Sequence, residues 1–402
     1  MKTFTLLLAT VLAAGAAERS VVFPPGAKPV GPYSPGILTS EYLYVSGQGG
    51  RTPDGRLPAT FPEQLRACLE NIKTIVEAAH LTMEHVVYTQ LYLQDIGNYE
   101  AAGPILAEYF GKNPPARATL GVHRMPVGTP VEISAVVVRD LARKKPIVPP
   151  GYQSVGPLVP GVQVGDRLYI SGFLGRDPGT GKIPDEPAAQ VQLALDRFKA
   201  VLTAAGMDFR NVVFVNPYLT SKMPMEAMNR VYAKQFEFGN TPARATIEVA
   251  ALPHGANIEF TGVAVNLEQR RAVRPKNMAP SPTASPCVWA GDTFYCSAKS
   301  GFIPGPSGGI FAETVENQVR QTMRNLLDGL EEAGLDFSNV VASNVYLDDI
   351  EDFARMNGVY ARYFGATPPT RTTVSPKAPV ERKQDAQGRA TKLEEISIVA
   401  VR

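Results

Sequence analysis

Three arginines stand at equal intervals in this chain. Arg117 lies in Pro115-Ala116-Arg117-Ala118-Thr119, Arg244 in Pro242-Ala243-Arg244-Ala245-Thr246, and Arg371 in Pro369-Thr370-Arg371-Thr372-Thr373, each 127 residues from the next. A guanidinium is planar, presents its donors as a fork and stays charged at any relevant pH, so it can hold a carboxylate through two parallel hydrogen bonds. A single arginine after a proline reads as a surface ion pair. Repetition in register argues for a ligand arginine, because surface residues drift between copies of a repeat. A carboxylate accompanies each one: Glu132, Glu259 and Glu395. The first two keep the 127-residue spacing, and the third follows after 136 because of an insertion, Arg382 to Lys392, expected in the preceding hairpin. All three sit among Val, Ile and Ala, where an isolated carboxylate is costly. Such a glutamate either pairs with the arginine or activates a water as a general base.

Each pair must be carried by one copy of a repeated unit. The chain has 402 residues, enough for about three domains of roughly 130 residues. Each copy opens with a hairpin: Ile37 to Ser46 around Ser40-Glu41, Val162 to Ile170 around Gly165-Asp166, and Cys287 to Cys296 around Gly291-Asp292. The hairpins end in Ser46-Gly47, Ser171-Gly172 and Ser297-Ala298. Apolar residues at helical spacing follow, such as Leu65, Leu69, Ile72 and Val76 in the first copy. Gly206 and Gly334 are expected as helix C-caps, and His80 as their substitute in copy one. A strand, a shorter second helix, the arginine strand and a closing strand complete the unit. The order ββαβαββ predicts an α+β unit, a mixed sheet with two helices on one face. The expected boundaries are 18–142, 143–268 and 269–402, with charged, exposed linkers near Arg143-Lys144-Lys145 and Glu268-Gln269-Arg270-Arg271.

Composition narrows the function. The chain is 44% apolar and 19% charged, and its 40 Lys and Arg nearly balance 38 Asp and Glu. That balance offers no electrostatic footprint for nucleic acid or an anionic membrane. Lys2, the apolar run from Phe4 to Ala14 and the small residues Ala14-Gly15-Ala16-Ala17 read as an export signal over residues 1–17, too short to span a bilayer. An exported, periplasmic or secreted mature chain is therefore expected. Of three cysteines, Cys287 and Cys296 would face each other as a non-hydrogen-bonded pair across their hairpin, close enough for a disulfide; two free buried thiols are the alternative. Cys68 reads as core, as does Trp289. His85, His123 and His254 share no register and no ligand spacing with the cysteines, so no metal is expected. Ser46 and Ser171 lack a positioned His-Asp pair, which speaks against a serine nucleophile.

Taken together, Gly31-Pro32-Tyr33-Ser34-Pro35-Gly36, Ser46-Gly47-Gln48, Pro115-Ala116-Arg117 and Glu132 resemble the RidA/YjgF family of reactive-intermediate deaminases. All three copies share the resemblance. It implies three tandem chorismate-mutase-like domains arranged as an intramolecular pseudo-trimer, with sites in the clefts between them. It also implies cofactor-free hydrolysis of 2-imino acids (2-aminoacrylate tautomers) to 2-oxo acids and ammonia. In that reading the arginines bind the substrate carboxylate, Glu132, Glu259 and Glu395 orient the attacking water, and Tyr33 lines the site. Asn229 and Asn357 match a family asparagine on the second helix, which Gly103 replaces in copy one. Thr119, Thr246 and Thr373 occupy the place of a family cysteine or serine. Leu158 replaces the tyrosine in copy two, and Ala284 is nearest to it in copy three. At most one cleft can therefore contain Tyr33, and whether Asn229 or Asn357 joins it depends on the order of copies around the ring. The expected partner is a small carboxylate, and the expected state is a monomer. Two rivals stand: a non-catalytic binding protein for small carboxylate or carbonyl compounds, favoured by the missing tyrosines, and an endoribonuclease, disfavoured by the neutral charge balance.

Overall fold

The computed structural model describes residues 19–27, 29–152, 157–276, 278–305, 308–386 and 388–402. The expected export signal lies outside the described residues. In the first repeat, strands β1 (Ser20–Val22), β2 (Gly36–Leu38) and β3 (Tyr42–Gly49) lead into helix α1 (Phe61–Ala78). Strand β4 (Val86–Leu93), helix α2 (Tyr99–Phe110) and strands β5 (Ala116–Gly121) and β6 (Val131–Val138) follow. The sheet order is β1-β2-β3-β6-β4-β5. Only β4 and β5 run parallel. The second repeat repeats this plan around helices α3 (Pro187–Ala204) and α4 (Met225–Tyr232), and the third around α5 (Val315–Glu332) and α6 (Phe353–Tyr360).

The sheets have two working faces because side chains alternate along a strand. On β3, Leu43 and Val45 turn toward α1 and join Leu65, Leu69, Ile72 and Val76 in a core belonging to the first repeat. Tyr42 and Tyr44 turn the other way and pack with Val162, Val164 and Tyr169 of the second repeat and with Val341 and Val401 of the third. A second shared cluster gathers Tyr92, Tyr218 and Tyr346 from the three copies. Helices thus lie outside, sheets face one another inside, and the single chain closes into a pseudo-trimer. Gly206 and Gly334 end their helices at φ +72°, and His80 takes the same left-handed conformation at φ +60°.

Each sheet carries one edge strand, preceding its hairpin in the chain, beyond the expected ββαβαββ. Lys144–Ile147 pairs with Gly161–Val164, and Arg270–Val273 pairs with Cys287–Ala290, as β1 pairs with β2. Of the charged stretches expected as exposed linkers, Lys144-Lys145 and Arg270-Arg271 are therefore in edge strands that cover the hairpins, whereas Glu268 and Gln269 lie outside them and are exposed. Lys144 is buried. Its Nζ donates to the carbonyls of Glu84 at 2.8 Å and Asn113 at 2.7 Å, which engages two of the three ammonium donors. The insertion in copy three lies in a crossover rather than a hairpin, since Thr370–Val374 and Glu394–Val401 flank Val340–Leu347 on opposite sides. Cys287 pairs with Cys296 in the hairpin register and the two form a disulfide. Trp289 is buried against Phe294, with ring centroids 4.5 Å apart.

Candidate functional site

A serine at the end of each hairpin sets the order of the ring. Ser46 Oγ donates to the Ser34 carbonyl at 2.6 Å and accepts the Arg371 backbone N–H at 2.9 Å. Ser171 Oγ does the same between the Val159 carbonyl (2.6 Å) and Arg117 N–H (2.9 Å). Ser297 Oγ links the Ser285 carbonyl (2.6 Å) and Arg244 N–H (2.8 Å). Each hydroxyl is thereby a latch between neighbouring copies. Arg117 of copy one faces Glu259 of copy two, Arg244 of copy two faces Glu395 of copy three, and Arg371 of copy three faces Glu132 of copy one. The threefold recurrence of the serine was visible in the sequence; its partner was not, because that partner belongs to another copy.

The Arg371 cleft holds the fullest set. Tyr33, Gln48 and Glu132 from copy one and Arg371, Phe353 and Thr373 from copy three line one cavity of about 160 Å³. Asn357 adjoins it: a side chain at Gly31 would meet Arg371 Nη2 at 2.8 Å and Asn357 Nδ2 at 3.2 Å. Ring order therefore joins Tyr33 with Asn357. The guanidinium carbon lies 5.5 Å from the Tyr33 ring centre, 5.3 Å from Phe353 and 5.0 Å from Tyr360. These aromatic faces favour the cation. Three buried polar atoms, Arg371 Nη1, Asn357 Oδ1 and Thr373 Oγ1, have no hydrogen-bond partner among the described residues. Glu132 and Arg371 form no direct ion pair among the described residues. Burial pushes the Glu132 carboxyl up to about 8, only partly offset by Arg371.

Glycine decides where the glutamate can lie. A Cβ at Gly47 would come within 1.9 Å of Glu132 Oε1, and one at Gly172 within 1.9 Å of Glu259 Oε1. Copy three has Ala298 at this place. Glu395 there takes a different partner, Lys392 Nζ at 2.8 Å. In the Arg244 cleft, Asn229 Oδ1 accepts from Arg244 Nη1 at 2.8 Å, and Ala284 stands where Tyr33 does in the Arg371 cleft. That cavity is larger, about 410 Å³. In the Arg117 cleft, Tyr99 lies beside the buried guanidinium and partly offsets the effect of burial on it. Burial raises the Glu259 carboxyl to about 8, and backbone N–H donation from Thr119 and the charge of Arg117 oppose it. Arg117 Nη1 and Glu259 Oε1 are buried without partners among the described residues, as is Thr246 Oγ1 in the Arg244 cleft. Sequence reasoning missed Tyr99 and Phe353, and it quoted Gln48, Gly47 and Gly172 only as parts of motifs, because their roles depend on contacts across a copy boundary or on close packing.

These features define a class: small α+β repeats, three to a chain, with an arginine and a glutamate meeting across each boundary. The chain belongs to the endoribonuclease L-PSP family, whose model matches residues 25–139, 151–266 and 276–382. A RutC family protein of Pyrococcus horikoshii is 35% identical over 125 residues, covering 30% of this chain and 99% of the relative. The mouse 2-iminobutanoate/2-iminopropanoate deaminase is 38% identical over 113 residues, covering 28% and 83%. Among solved structures, the YjgF gene product of E. coli matches at 30% identity with a TM-score of 0.29, covering 30% of this chain and 99% of that one.

Proposed function

We propose that the Arg371 cleft hydrolyses small 2-imino acids, of the 2-iminopropanoate and 2-iminobutanoate kind, to 2-oxo acids and ammonia. The observation that carries this reading is the meeting of Tyr33 and Glu132 with Arg371, Asn357 and Thr373 at one cavity. The name of the mouse relative supports the substrate class. Arg371 holds the carboxylate through its fork. Glu132 takes a proton from water as the hydroxide adds to C2 of the protonated imine, giving a carbinolamine. The same carboxyl then passes that proton to nitrogen. The carbinolamine hydroxyl gives its proton to the Glu132 carboxylate, the O–H electron pair forms C=O, the C–N bond breaks, ammonia leaves, and Glu132 releases the proton to solvent. A group that must take and return protons near neutral pH is served by a pKa of about 8.

The other two clefts favour carboxylate binding over hydrolysis, because one lacks both the tyrosine and the asparagine and the other has its glutamate held by Lys392. We further propose that the chain works as a monomer, divided near residues 142 and 268, and that residues 1–17 are an export signal, removed before the mature protein acts outside the cytoplasm. The test generates 2-iminopropanoate in situ and follows its decay. Acceleration by the wild-type chain is expected. Binding of 2-oxobutanoate with no acceleration would replace hydrolysis by the binding reading.

A further inference from the structure

The Arg244 cleft carries a residue that neither other cleft has. Lys299 lines the same cavity as Arg244, Thr246 and Glu395. It pairs with Ile396 in the sheet, as Gln48 pairs with Ile133 and Phe173 with Phe260, so the three occupy one structural position. Copy one places an amide there, copy two a buried ring, and copy three a primary amine. Among the described residues Lys299 Nζ has no hydrogen bond or ion pair. Of the two carboxylates whose charge acts on it, Glu395 is held by Lys392 at 2.8 Å and Asp328 is engaged by Arg324 at 3.3 Å. Burial lowers the Lys299 pKa, against the pull of Asp328 and Glu395. A larger share of the amine is then neutral and nucleophilic than for an exposed lysine. The cavity, about 410 Å³, has room for a small acid where the tyrosine ring is missing.

We propose that Lys299 captures small 2-oxo acids as a reversible imine in the Arg244 cleft. The proposal rests on reading the arginine as a carboxylate anchor. Arg244, steadied by Asn229, takes the carboxylate and presents the adjacent carbonyl to the amine. The nitrogen lone pair forms the C–N bond and the carbonyl pair moves to oxygen. The oxygen leaves as water with one proton from the amine and one from solvent, and the iminium remains. No cofactor or oxidant enters this balance. The cleft thereby acts on the product class of the Arg371 cleft by the reverse type of condensation.

The test traps the iminium. The full chain is incubated with pyruvate and sodium cyanoborohydride, whose hydride converts the iminium to a stable secondary amine, and the labelled lysine is located by peptide mass mapping. One carboxyethyl group on Lys299 is expected, in excess over every other lysine, with Lys392 unlabelled as the internal control. Lys299→Arg abolishes that adduct. Arg244→Ala lowers its yield at sub-saturating pyruvate by roughly tenfold or more, the worth of a charge-assisted hydrogen bond. Labelling spread over surface lysines, or an adduct at Lys299 indifferent to Arg244→Ala, overturns the proposal. The same trapping in a Glu132→Gln chain keeps the two readings apart, since the adduct at Lys299 needs no imine hydrolysis at the Arg371 cleft.

Discussion

A buried glutamate is expensive unless its charge is useful, and Glu132 shows the expense in its pKa of about 8. The sign of the effect on stability follows. The folded-state value lies above the ordinary 4.5, so the favourable contribution of the protonated carboxyl is complete below pH 4.5 and is lost as pH rises through about 8. Glu132→Gln should therefore match the wild type in acid and exceed it in stability at alkaline pH, as thermal melts at the two pH values would register. Hydrolysis should behave oppositely: kcat/KM rises with pH and levels off above about 8, and Glu132→Gln lowers it about 10²–10⁴-fold and removes that dependence. A flat wild-type profile would remove the glutamate from the role of base. Gly47 tests the geometry. Gly47→Ala forces Glu132 Oε1 away from a 1.9 Å approach, and copy three already contains the alanine with its glutamate turned to Lys392. A folded but inactive Gly47→Ala protein is expected, with circular dichroism unchanged. The arginines and glutamates were legible in the sequence because their spacing repeats. The glycine was also in plain sight, but its meaning depends on a contact across the sheet that spacing cannot show.

At the scale of elements, hairpins and first helices follow directly from period-2 and period-3.6 patterns, and the left-handed caps at His80, Gly206 and Gly334 fall where the apolar periodicity stops. The added edge strands were not legible. Lys144–Ile147 and Arg270–Val273 are rich in charge, and only pairing with a hairpin reveals them as strands. The hairpin serines illustrate the same limit from the other side. Considered as nucleophiles they explain nothing, whereas as latches they position all three arginines. Ser46→Ala removes the acceptor of the buried Arg371 N–H and should cost about 1–3 kcal/mol of stability. Denaturant unfolding would measure it, and a change near zero would argue against the latch.

At the scale of the molecule, fusion of three copies allows the clefts to diverge, which an assembly of identical chains cannot do. One boundary combines Tyr33, Glu132, Arg371 and Asn357; a second offers Tyr99, Arg117 and Glu259; the third offers Asn229, Arg244, Lys299 and Glu395. The three shared faces are closed within one chain, so gel filtration should return a monomer. A stable trimer of the chain would contradict that. The central claim is that hydrolysis belongs to one boundary. Its most direct measurement is 2-iminopropanoate decay with Arg117→Ala, Arg244→Ala and Arg371→Ala, each checked for folding. Arg371→Ala should lose about 2–5 kcal/mol of transition-state binding, roughly 30- to several-thousand-fold in kcat/KM, while the other two retain most activity. Similar partial losses in all three variants, or activity surviving in Arg371→Ala, would contradict it.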